Sequence, residues 1–204
     1  MGNPRYSSGF LVTLHPDQLT LPLRWKQRRL IFVNSMSDLF HEAIPEEFIH
    51  RVFETMQEAH WHLFQVLTKR AERLVELAGR LEWPPHIWQG VSIESARYAW
   101  RAAYLRQVPA AVRFLSVEPL LGPIPRLPLD GIHWVVVGGE SGPKHRRIDP
   151  AWVRDIRDQC LAASVPFFFK QWGGHTAKSG GRLLDGRNWS DMPEAAPPRQ
   201  LLFA

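Results

Sequence analysis

The sequence predicts an α/β fold, an incomplete (β/α) TIM-like barrel with about seven mostly parallel strands. Three observations predict it. Short apolar, β-branched or aromatic runs recur along the 204 residues, with helical patterns between them. Several runs, LIFV and WVVV among them, are apolar throughout, which suits strands buried on both faces in a helix-covered parallel sheet. Successive runs also end alike, in a small residue followed by a glutamate.

The strands are expected at residues 10–14, 30–33, 63–67, 88–93, 112–117, 133–137 and 166–170. Residues 46–60 follow Pro45, which suits a first helical turn, and Phe48, Val52, Phe53 and Met56 form one apolar stripe there. Residues 70–81 carry Leu74, Leu77 and Ala78, and residues 95–107 carry Tyr98, Ala102 and Leu105. Asp149 is a good N-cap ahead of Pro150. Val153, Ile156 and Cys160 share a face of that last helix, which makes Cys160 a core residue. Strand then helix, repeated, implies right-handed crossovers between parallel strands. Two joints depart from the pattern: only a short helix fits after Pro16, and PLLGPIPRLPLDG at 119–131 is too proline-rich for a helix. One domain spans residues 1–204. Its loop-rich tail, 174–204, is expected to cross the barrel and then fray.

Composition narrows the classes. Hydrophobic residues make up 45% and charged residues 22%, an ordinary globular balance. No apolar run approaches the roughly 20 residues of a membrane helix. One cysteine rules out an internal disulfide and any site built from several thiolates, and a reducing, cytoplasmic setting fits. The net charge of +5 permits contact with nucleic acid. Basic clusters lie at 26–29, 69–73 and 144–147, and Lys144, Arg146 and Arg147 are the candidate phosphate contacts.

Chemistry concentrates at the strand ends. Ser92-Ile93-Glu94, Ser116-Val117-Glu118 and Gly138-Gly139-Glu140 close three neighbouring strands. A spacing of two puts the small residue and the carboxylate on one side of a strand. The carboxyl-terminal rim is where such sheets bind ligands, so three carboxylates are expected near one another there. Asn34, Ser37 and Asp38 follow the second run, Lys69 the third, and Lys170 with Gln171 the last. The lysines Lys69 and Lys170, with Glu118, are the candidate catalytic groups. Asn34, Ser37, Asp38, Ser92, Glu94, Gly138, Gly139, Glu140, Ser141 and Gln171 are the candidate ligand-binding set. Clustered carboxylates need a cation among them; a substrate ammonium, a metal ion or the two lysines would supply it. Each position also has a plainer role, since Ser and Glu just after a strand often cap the next helix. The remaining motifs argue against other chemistries. GGESG is not a phosphate-binding P-loop, no His-Glu-x-x-His marks a zinc site, and no Gly-x-Ser-x-Gly marks an acyl-transfer serine.

The segments FVNSMSDLFHEAIPEEFI, FQVLTKRAERL, IWQGVSIES, VRFLSVEPLLGPI, WVVVGGESGP and VPFFFKQWG, then DGRNWSDMP, follow one another in order. Together they resemble the bacteriophage-protein family gp-thirty-seven/gp-sixty-eight, a domain of unknown function grouped with radical S-adenosylmethionine proteins. The resemblance runs from about Phe10 to Pro193. It implies, for full-length relatives, S-adenosylmethionine and a [4Fe–4S] cluster held by a three-cysteine loop after a first strand. No cysteine precedes Phe10. The resemblance therefore implies an N-terminally shortened member, with that strand and loop missing, a gap beside the strand at 10–14, no cofactor in this chain, and chemistry incomplete or inactive. It also offers Gly138-Gly139-Glu140 as a cradle for the methionine end of S-adenosylmethionine, with Glu140 accepting from its ammonium. Two other classes stay open: a non-catalytic module binding nucleic acid or a partner protein, and a cluster-free barrel enzyme working through its carboxylates. The substrate is either a small molecule or nucleic acid.

Overall fold

The computed structural model describes residues 11–34, 37–176 and 179–194. Six strands form one all-parallel sheet in sequential order: β1 (Leu30–Val33), β2 (Leu63–Thr68), β3 (Ile87–Ser92), β4 (Arg113–Val117), β5 (Trp134–Gly138) and β6 (Phe167–Gln171). The sheet is curled into a half-barrel. Helices α1 (Glu46–Glu58), α2 (Ala71–Ala78), α3 (Arg101–Leu105) and α4 (Pro150–Ala162) lie in the crossovers. Asp149 caps α4 by accepting from the Ala151 amide at 2.8 Å, with Pro150 in the first turn.

The period-two alternation of the strands divides the core. Phe64, Val66, Ile87, Val91, Leu115, Val117, Val135, Phe167 and Phe169 face the helices in the larger cluster, where Cys160 is also buried. Leu63, Trp88, Phe114, Trp134, Val136 and Phe168 make a second, smaller cluster on the concave face. Register aligns that second set: Gly90 opposes Phe114, and Phe114 opposes Trp134. A Cβ at Gly90 would overlap the Phe114 ring, so this glycine is the slot into which the ring packs. The 119–131 joint holds no helix, as expected. Gln159 of α4 fastens it, accepting from the Leu127 amide at 2.7 Å and donating to the Ile124 carbonyl at 2.9 Å.

Three expectations need correction. The sheet has six strands where the sequence pattern suggested seven. Residues 11–14 form no strand, and Phe10 lies outside the described residues. The run is β-prone, yet Leu11 is 76% and Val12 44% exposed with no ladder partner, and strand propensity depends on such partners. The helix expected over 95–107 breaks into a tight turn at Ala96–Tyr98 followed by the short α3. The start of α3 is held by Arg101, whose side chain turns back to the end of β3.

The two sheet edges differ. At β6, the tail returns past β7 (Leu183–Leu184) and β8 (Arg187–Asn188), and residues 189–191 then run antiparallel along the edge. The Phe169 amide donates to Trp189 O at 3.1 Å, and the Asp191 amide to Phe167 O at 3.2 Å. Met192 then packs on the concave cluster. The tail therefore runs along the β6 edge and reaches the concave face; its end, where fraying is expected, lies outside the described residues. At β1, no strand among the described residues pairs with the outer side, and Phe32 is 44% exposed.

Candidate ligand site at the strand ends

The strand ends hold four ion-pair systems, three of them built on the rim glutamates and one on Asp38. On the concave face, Ser92 of β3 lies directly opposite Ser116 of β4. Glu118, two residues beyond Ser116, accepts from the Ser116 hydroxyl at 3.2 Å and from Lys170 Nζ at 3.2 Å. A Cβ on Gly138 of the next strand would strike the Glu118 carboxylate. Gly138 is the space in which that carboxylate sits. Glu118 and Lys170 thus meet across β5, one strand apart from each side.

The second system is deeper. Glu94 is buried between Lys69, which it contacts closely, and Arg101 Nη1 at 3.0 Å. Arg101 is itself buried and also donates to the Ser92 carbonyl at 2.8 Å, with its guanidinium stacked 4.3 Å from the Tyr98 ring. Burial pushes the Glu94 carboxyl up. Its hydrogen bonds to Lys69 and to its own backbone amide, with the charges of Lys69 and Arg101, outweigh that and hold it below its ordinary value.

The third system is Glu140. Arg146 grips its carboxylate with Nε at 2.8 Å and Nη2 at 2.9 Å, and the Arg146 amide adds a third bond at 2.9 Å. These bonds bring the Glu140 carboxyl down to about 2. A Cβ on Gly139 would overlap the Trp172 carbonyl, because the 138–142 and 171–174 backbones interlock. Gly174 N donates to Glu140 O at 3.0 Å, and Gly142 N to Gly174 O at 2.9 Å. Gln171 bridges the two loops through the Ser141 hydroxyl at 2.8 Å. The Gly138-Gly139-Glu140 element is filled by protein, so it does not fit the open cradle expected of it.

Asp38 organises the mouth near β1. Its Oδ1 accepts from Thr68 Oγ1 at 2.6 Å and the Phe40 amide at 3.0 Å. Its Oδ2 accepts from the Lys69 amide at 2.9 Å and Arg70 Nη1 at 3.1 Å. Asn34 donates to the Ser37 hydroxyl at 2.8 Å.

A cavity of about 1020 Å³ opens beside β1. Its polar end is formed by Asn34, Ser37, Asp38, Lys69, Ser92 and Glu118; its body is apolar, walled by the 11–22 segment, β1 and α1. The structure thus brings together six of the candidate residues at one cavity. Glu94 and Lys170 join them through their ion pairs with Lys69 and Glu118. Gly139, Glu140, Ser141 and Gln171 belong instead to the interlocked loops, and of Glu94, Glu118 and Glu140 just Glu118 lines this cavity.

Sequence reasoning missed Arg101, though its position between Tyr98 and Leu105 on an apolar stripe was a signal: a cation there needs a buried anion. It also missed Arg70 and Thr68, which are legible only once Asp38 is seen to bond them. Gln65 and Trp88, at directly opposed positions of β2 and β3, each bury a side-chain N–H with no protein partner.

The fold and site define a parallel α/β half-barrel with a charged carboxyl-end rim. The chain belongs to the family of proteins of unknown function DUF5131, whose pattern matches residues 2–193. No curated protein and no solved structure matches the chain. Among the described residues no helix is long and apolar enough to cross a membrane.

An iron–sulfur cluster does not fit these residues. It needs about three or four thiolates, and the chain has one cysteine. Cys160 lies in the core on α4, where burial pushes its thiol up to about 12.

Proposed function

We propose that the chain is a ligand-binding half-barrel whose rim, around Lys69, Glu118 and Lys170, receives a small polar or zwitterionic molecule. The supporting observation is the single cavity on which Lys69, Glu118, Ser92 and Asp38 converge. A zwitterion has an ammonium for Glu118 and a carboxylate for Lys69, and each would replace one existing pair. Binding is favoured over acid–base catalysis for a specific reason. The rim's own charges are committed to one another, Lys69 to Glu94 and Lys170 to Glu118, which offers a ligand pairs to exchange rather than a free acid and base. The resemblance to radical S-adenosylmethionine proteins suggests that molecule as the first probe, while the thiol count leaves cluster chemistry outside this reading. The Lys144–Arg147 reading of nucleic-acid contact loses its central residue, because Arg146 is committed to Glu140.

Titration calorimetry with S-adenosylmethionine tests the rim. Saturable binding is expected, weakened about tenfold or more in Glu118→Gln and in Lys69→Met, the scale of one charge-assisted hydrogen bond. Glu140→Gln should bind unchanged. Equal binding by Glu118→Gln and the parent refutes the assignment.

A further inference from the structure

At the opposite end of the sheet, ahead of β1, the segment Arg24-Trp25-Lys26-Gln27-Arg28-Arg29 carries four cations in six residues. Among the described residues none of the four has a carboxylate within ion-pair distance. Arg70, Arg101, Arg146 and Arg154, by contrast, are each held by an acid. Their charge is +4 against a net +5 for the whole chain. The stretch contains no acidic residue, so none of this charge is offset within it.

The stretch is held rigidly. Trp61 Nε1 donates to the Trp25 carbonyl at 2.7 Å, the Arg29 amide donates to His62 Nδ1 at 3.1 Å, and Leu63 N donates to Arg29 O at 2.9 Å. His62 Nε2 lies 3.0 Å from the Pro22 carbonyl, so the buried imidazole bridges both ends of the segment. Burial, with the Arg29 charge, lowers the His62 pKa, so this imidazole adds no further charge at neutral pH. The Arg29 guanidinium stacks 4.3 Å over the Trp25 ring. Arg24, Lys26 and Arg28 are left exposed. Fixed, unpaired cations interleaved with an aromatic ring form the chemistry that tracks a phosphodiester backbone. Apolar side chains do not lead this patch, which distinguishes it from an amphipathic membrane-surface segment.

We infer that residues 24–29 form a nucleic-acid-binding surface at the amino-terminal end of the half-barrel, separate from the rim site. Fluorescence anisotropy with a labelled oligothymidylate of about 20 nucleotides, and with a duplex of similar length, tests it across a potassium chloride series. Neutralising four phosphates gives a slope of log K against log salt of about −2.8 for the single strand and −3.6 for the duplex. The triple variant Arg24→Gln, Lys26→Gln, Arg28→Gln should lose roughly three-quarters of that slope and bind at least tenfold more weakly at low salt. Arg29 is kept in that variant to preserve the stack on Trp25, and an unchanged melting temperature shows that the fold is intact. Arg146→Gln should leave binding unchanged. Three results overturn the inference: no binding of either nucleic acid at about 20 mM salt, an undiminished slope in the triple variant, or binding to phosphatidylserine vesicles but not to the oligonucleotides.

Discussion

Arg101→Met isolates the deepest electrostatic element of the rim. Glu94 and Arg101 side chains are 8% and 10% exposed, with their charged atoms 3.0 Å apart. Methionine keeps the length and apolar bulk of the stem but leaves Glu94 with only Lys69. It also removes the donor to the Ser92 carbonyl. Lys69 still pairs with Glu94 in this variant, so the loss is that of the charge-assisted bonds Arg101 makes, about 1.5–3 kcal/mol, and urea unfolding at pH 7 should show it. The pH dependence follows from the direction of the Glu94 shift. In the parent its folded pKa lies below the unfolded one, so its stabilisation is complete above the unfolded value and fades as pH falls through the folded value. In Arg101→Met one lowering charge is lost while Lys69 still holds the Glu94 carboxyl down against burial. The deficit should shrink on acidification below about pH 4.5, as protonation of Glu94 removes the charge that Arg101 offsets. The double variant Glu94→Gln, Arg101→Met should recover about 2 kcal/mol relative to the sum of the single effects. A deficit under about 1 kcal/mol, or strict additivity in the cycle, would refute the claim that these two charges depend on each other.

Cys160, with its thiol raised to about 12, carries only about one thiolate in ten thousand at pH 8. Alkylation of the native protein by iodoacetamide should be far slower than that of the urea-unfolded chain; equal rates would mean that the α4 face is open. Gly139→Ala places a methyl on the Trp172 carbonyl and should destabilise the protein by about 1–3 kcal/mol, the scale of overpacking. Thermal unfolding checks this, and an unshifted midpoint would show that the two loops are not interlocked.

The strands that were legible in the sequence are those written as continuous apolar runs, whether buried on both faces like β5 or half-buried like β1. LIFV and WVVV announce themselves because every position is apolar, and PFFFK because three phenylalanines run together. Helix α4 was legible through Asp149-Pro150, a local signal that needs no tertiary context. FLVTL misled for the opposite reason: a β-prone run becomes a strand only beside another strand, and residues 11–14 have none. At the site, the pairing of Ser92 with Ser116 followed from the matched run endings, because register in a parallel sheet preserves such matches. The fate of Gly138 and Glu140 did not. Gly138 reads as a turn glycine until β4 is seen to place Glu118 against it. Glu140 reads as a rim acid until Arg146, six residues on in an exposed loop, folds back to claim it.

The unequal edges of the sheet limit how copies of this chain associate. A sheet with two bare flanks propagates, since each added molecule offers a fresh flank to the next. Here residues 189–191 lie along the β6 side, while no strand among the described residues pairs with the Phe32-bearing side. Among the described residues, main-chain pairing between copies is therefore directed to the β1 side.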